Sequence, residues 1–138
     1  MAGKYKKVID IVWVEDNRQY LPSIGDELNE IQHDCDVNLD ITEENDSNKF
    51  KNIAYDIPSA LVFCIDYNLS NNGDGIDGNQ VIKNIRSVNK TCTIIFYSFN
   101  LDQEGLRKLV DKGDTYTYCV HRPNLMYKLR DLIEEGVI

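Results

Sequence analysis

No two cysteines of this chain stand close enough in sequence to form a CxxC pair; they fall at 35, 64, 92 and 119. That spacing argues against a sequence-local zinc or dithiol motif. Three of the four lie inside apolar runs, where a free thiol acts as a small buried hydrophobe. The expected compartment is therefore reducing, and cytoplasmic. Long hydrophobic runs are also missing: none approaches the roughly 20 residues of a membrane span. The basic start Met1-Ala2-Gly3-Lys4-Tyr5-Lys6-Lys7 precedes an apolar run that is short and holds Asp10, so it reads as a strand, not a signal peptide. Positive charge is scarce: 15 Lys and Arg stand against 23 Asp and Glu, a net charge of −8. Direct nucleic-acid contact, which needs clustered cations on phosphates, is not expected.

What is present is a regular alternation. Apolar, β-branched or alternating runs at Val8–Val14, Asp36–Ile41, Leu61–Asp66, Thr91–Tyr97 and Thr115–His121 predict five strands. Between them the apolar residues take helical spacing: Leu21, Ile24, Leu28 and Ile31; Phe50, Ile53, Ala54 and Ile57, ended by Pro58; Val81, Ile82 and Ile85; Leu106, Leu109 and Val110, stopped near Gly113; and Leu125, Leu129, Leu132 and Ile133. Five strand–helix units in 138 residues predict one α/β domain: a parallel sheet with helices on both faces, a three-layer sandwich. The expected strand order is the flavodoxin-like 2-1-3-4-5, with strands 1 and 3 side by side at the switch point.

On that sheet the strand ends carry the chemistry. Strand 1 runs into Glu15-Asp16, strand 3 ends on Asp66, strand 4 on Ser98 and strand 5 on Arg122-Pro123. All open on the same edge. Three carboxylates there repel one another unless a cation joins them. Mg²⁺ (or Mn²⁺) suits, since it takes hard oxygen ligands and is commonly held by one or two carboxylates plus a phosphate. An aspartate can attack a phosphoryl group to give an acyl phosphate, whose charge then needs the metal and a fixed cation. Asp66 fits the acceptor, Arg122 the cation and Ser98 a hydroxyl donor. His33 and His121 stand alone and read as structural. Arg107, Lys108, Lys112, Lys128 and Arg130 read as a solvated or docking face.

With these residues in place the chain resembles the receiver domain of two-component response regulators, chemotaxis receivers among them, over nearly all of its length. The resemblance implies that Asp66 is the phosphoacceptor and Asp16 a direct metal ligand, with Glu15 acting chiefly through metal-bound water. It implies that Asn68 binds the metal through its backbone carbonyl and that Ser98 matches the family's Ser/Thr after strand 4. Arg122-Pro123 lies where the family has Lys-Pro, joined by a bond that is usually cis. The implied function is phosphoacceptance from a histidine kinase or histidine phosphotransfer protein, followed by a change in a protein-docking surface. An output protein would read that change, since no output domain fits in this chain, and the activity is signalling, not enzymatic turnover. A haloacid-dehalogenase-type phosphatase would need a second Asp two residues after the nucleophile, where Asn68 stands. Three departures from the receiver pattern motivate an alternative, a receiver-like interaction domain that does not switch by phosphorylation. Arg122 replaces Lys, the loop from Ser70 to Gly78 is longer and lacks Pro, and Cys119 stands where the family has its switch aromatic. Tyr118 beside it is expected to face the opposite side of the sheet.

Overall fold

A computed structural model describes residues 6–70 and 75–138. The central residues of the long loop, 71–74, and the first five of the basic N-terminus lie outside the described residues. Five strands, β1 (Lys7–Val14), β2 (Val37–Glu44), β3 (Val62–Asp66), β4 (Ile94–Ser98) and β5 (Thr117–His121), form one parallel sheet in the order β2-β1-β3-β4-β5. The helices are α1 (Tyr20–Ser23), α2 (Gly25–Cys35), α3 (Gly78–Val88), α4 (Gln103–Arg107) and α5 (Leu125–Glu134). Among the described residues no helix is long and apolar enough to cross a membrane, and the four cysteines are unpaired.

Strand alternation divides the core in two. Ile9, Ile11 and Trp13 of β1, with Cys64, Ile95, Tyr97 and Val120, pack against α2 and α5. Val14, Phe63, Ile65, Ile94, Phe96 and Cys119 pack with Val81, Ile82 and Ile85 of α3. Every residue of β3 and β4 is buried, as strands covered on both faces require. The edge strand β2 buries only Val37. Tyr118 packs on the α2–α5 side while Cys119 faces the other core, as alternation demands.

Several segments depart from expectation: β2 runs past Ile41 to Glu44, where its pairing with β1 continues, and β5 starts at Thr117. The helix expected over Phe50–Ile57 does not form. Asp46 caps a single 3₁₀ turn, Ser47–Phe50, and an irregular segment follows. Its carbonyls find partners on α3's side of the fold instead: Asn84 Nδ2 donates to Phe50 O (2.8 Å) and Asn89 Nδ2 to Ile57 O (2.6 Å). Phe50 and Ile57 are nonetheless buried, so the apolar spacing reported burial, not helix. The first predicted helix is broken in two at Ile24 (φ −108°, ψ 13°), just before Gly25. Strand β4 starts late, because Asn89 Oδ1 accepts from the backbone of Thr91 and Cys92 and bends the chain there. Helix α4 stops at Arg107, whose guanidinium turns inward to the carbonyls of Asp111, Asp114 and Thr117 and holds the chain beyond it. Arg107 is thus a structural clamp and not part of a solvated basic face. No cis peptide bond occurs among the described residues. The Arg122-Pro123 bond is trans, with Pro123 inside a 3₁₀ turn, Arg122–Asn124, that leads into α5.

Candidate phosphoacceptor site

The 2-1-3-4-5 order brings the ends of β1 and β3 together, and the chemistry assembles there. Val14 pairs with Ile65, and Asp66 pairs with Tyr97. Glu15 and Asp66 are almost wholly buried, at 0% and 3% exposure, while Asp16 is half-exposed. Carboxylate oxygens of all three lie within 4.8 Å of one another. Arg122 reaches in from the end of β5: its Nη2 donates to Glu15 Oε1 (3.0 Å) and to Asp66 Oδ2 (3.3 Å).

One guanidinium does not offset this concentration of acid. Burial, then the neighbouring Glu15, push Asp66 from 3.8 up to about 8, despite Arg122 and a hydrogen bond from the Asn68 N–H to Asp66 Oδ1 (3.3 Å). Burial also raises Glu15, against opposing hydrogen bonds from the Asn17 backbone and the Tyr97 hydroxyl. The site therefore favours a neutral carboxyl or an added cation. Its donors are hard oxygens at short mutual range, and that set fits a divalent ion such as Mg²⁺.

Ser98 is buried at the end of β4, one residue past the partner of Asp66. Its Oγ accepts from the backbone N–H groups of Asn100 (3.1 Å) and Leu101 (3.2 Å), which shapes the turn into α4. The hydroxyl proton is left to donate elsewhere. The Asn68 side of the loop is braced by Asp77, whose Oδ1 accepts from the Leu69 N–H (3.3 Å). His121, next to Arg122, places Nε2 2.9 Å from the Phe99 carbonyl and so ties the two neighbouring strand ends together.

Sequence reasoning missed the residues behind the acids. Trp13 Nε1 donates to the Tyr97 hydroxyl (2.9 Å), which donates to Glu15 Oε1 (2.9 Å). Glu15 follows the end of β1, two residues past Trp13, and continues its alternation onto the same face, and Tyr97 faces the same side from two strands away. Tyr20, in α1, stacks on Tyr97 with centroids 6.0 Å apart. Gly78 was also missed as a site residue. A Cβ there would collide with the Asp66 carbonyl oxygen and press on the Phe96 ring, so only glycine lets α3 start against the end of β3. The sequence signal was available, in a glycine at the first position of a helix and a tyrosine inside an apolar strand, but neither names its partner.

No family model matches the sequence, and no curated protein matches it. Solved structures do. The Salmonella typhimurium RcsB response regulator superposes with a TM-score of 0.63 at 20% identity, over 94% of this chain and 61% of that one. This chain thus spans less than two thirds of that regulator's length. A two component transcriptional regulator AraC from Clostridium phytofermentans matches at 0.64 and 18% identity, over 94% and 92% of the two chains. The receiver domain of Francisella response regulator 1452 matches at 0.59 and 18%, over 92% and 98%. The chain has the receiver fold of response regulators. Within that receiver fold, Glu15, Asp16, Asp66 and Arg122 converge at the carboxyl edge of the sheet. A groove of about 480 Å³, lined by Tyr20, Ile24, Ile31, Arg122 and Met126, leads to Arg122 between α2 and α5.

Proposed function

We propose that the chain is the phosphoacceptor receiver of a two-component phosphorelay in the cytoplasm, with Asp66 as acceptor. The convergence of three carboxylates within 4.8 Å of one another, beneath a single arginine, supports this reading most strongly. Asp66 Oδ attacks the phosphorus of a phosphohistidine on a histidine kinase or phosphotransfer protein. The new O–P bond forms as the P–N bond breaks, and the imidazole leaves with the electron pair and takes up a proton. Asp16, Asp66, the Asn68 carbonyl and, through water, Glu15 would hold Mg²⁺ (or Mn²⁺). When bound, that ion supplies positive charge to the transferred phosphoryl oxygens and draws the Asp66 carboxyl into its ionised form. Arg122 carries the fixed positive charge toward the same oxygens and forms charge-assisted hydrogen bonds to them. Ser98 donates its free hydroxyl proton. Acceptance moves Ser98 and shifts a docking surface formed by α4, β5 and α5 that an output protein reads.

The test is incubation with acetyl phosphate and Mg²⁺, followed by intact mass measurement. One phosphoryl adduct is expected, absent in Asp66→Asn and absent with chelator. No adduct, or an adduct that persists in Asp66→Asn, refutes the assignment.

A second reading is a receiver that accepts the phosphoryl group without a conventional switch. It is favoured by Cys119, buried against the α3 side where the family places an aromatic, while Tyr118 faces away. Amide NMR separates the two readings: shifts confined to the acid site on phosphorylation support the second, and shifts that spread through α4 and β5 support the first.

A further inference from the structure

Arg122 is held by more than carboxylates. Its Cζ lies 4.5 Å from the centre of the Tyr20 ring and 5.5 Å from that of Tyr97. Among the described residues its buried Nε has no hydrogen-bond partner. Tyr97 is itself immobilised. It is wholly buried, takes a hydrogen bond from Trp13, gives one to Glu15 and is stacked on by Tyr20. A flat, weakly hydrated guanidinium gains from such a surface, whereas a lysine ammonium has no plane to lay on it and is more strongly hydrated.

We propose that Tyr20 and Tyr97 are positioning residues that form an aromatic clamp specific for a guanidinium at position 122, fixing its reach between Glu15 and Asp66. Arginine in place of lysine is then one half of a matched set, whose other half comes from α1 and β4. Tyr97 serves both sides of the site, orienting the Glu15 carboxylate with its hydroxyl and Arg122 with its ring. The effect on phosphoryl acceptance rests on the function proposed above; the clamp itself does not.

The experiment is a double-mutant cycle of Tyr20→Leu and Arg122→Lys, read first by urea unfolding in chelator. Tyr20 is half-exposed, so its variants keep the core. The two changes are expected to be coupled by about five-fold in the unfolding constant, with Tyr20→Phe retaining the coupling because the ring is kept. Acceptance from acetyl phosphate is read second. Arg122→Lys is expected to slow it by about ten-fold with Tyr20 intact, and by less than about three-fold with Tyr20→Leu also present. Additive unfolding costs in the Tyr20–Arg122 cycle overturn the clamp. If no variant, and not the wild type, takes up phosphoryl, the phosphoacceptor reading falls and the unfolding cycle still decides the clamp.

Discussion

Replacing Asp66 with its neutral isostere asparagine should make the metal-free protein more stable, and the gain should grow with pH. Asp66 has 3% exposure and its carboxyl is raised from 3.8 to about 8 by burial and by Glu15. A carboxyl whose folded value is raised favours the folded state in its protonated form. That stabilisation is fully present below about pH 4 and is lost as pH rises through about 8. At about 1.4 kcal/mol per pH unit, the interval sets a ceiling of about 6 kcal/mol on what ionising Asp66 costs the fold. Asp66→Asn removes that cost but also takes one anionic partner from Arg122, which keeps Glu15. A net gain of about 1–3 kcal/mol at pH 8.5 is therefore expected, shrinking toward zero at pH 5. Urea unfolding of both proteins in chelator at several pH values measures the difference, and pH effects of groups that do not touch Asp66 cancel in it. Saturating Mg²⁺ should stabilise the wild type by mass action and narrow the gap. A wild type as stable as Asp66→Asn at pH 8.5 in chelator, or a difference that does not change with pH, would refute the charge balance drawn here.

Two further substitutions probe the frame around the site. Gly78→Ala forces a methyl group into the Asp66 carbonyl and the Phe96 ring; it should cost about 1–3 kcal/mol in chemical denaturation and slow phosphoryl uptake, because the α3 start must move away from β3. At the opposite edge, Arg86 donates to Asp114 Oδ2 (2.8 Å), the Cys92 carbonyl (2.7 Å) and Thr117 Oγ1 (3.0 Å), with both charged side chains largely buried. Arg86→Met should cost about 3–5 kcal/mol, since it strands a buried Asp114, and pairing it with Asp114→Asn should recover part of that loss in the same assay.

The legible part of this protein is what period and position encode. Alternating strands and helical stripes gave five strands, their parallel order and the acids at the strand ends, because burial on both faces leaves runs such as Val62–Asp66 with no polar residue until the sheet edge. The same logic failed over Phe50–Ile57. Apolar spacing registers which residues are buried, while the backbone there is held by Asn84 and Asn89 from a distant segment. It failed again beyond Leu106, where the helix ends at Arg107 and the Arg107 guanidinium ties down the carbonyls of Asp111, Asp114 and Thr117 across the loop and the start of β5.

At the site the division is sharper. Glu15, Asp16, Asp66 and Arg122 stand out in the sequence because charged residues that close apolar strands must face one edge of a parallel sheet. Trp13, Tyr20 and Tyr97 do not stand out, since an aromatic in an apolar run reads as core. Only the sheet order, with β1 and β4 flanking β3, brings Tyr97 within 2.9 Å of both Trp13 and Glu15 and lays Tyr20 and Arg122 on its ring. The sequence by itself determined which charges meet at the sheet edge. The tertiary structure decided what holds them there, because hydrogen bonds between residues more than 80 positions apart leave no periodic trace along the chain.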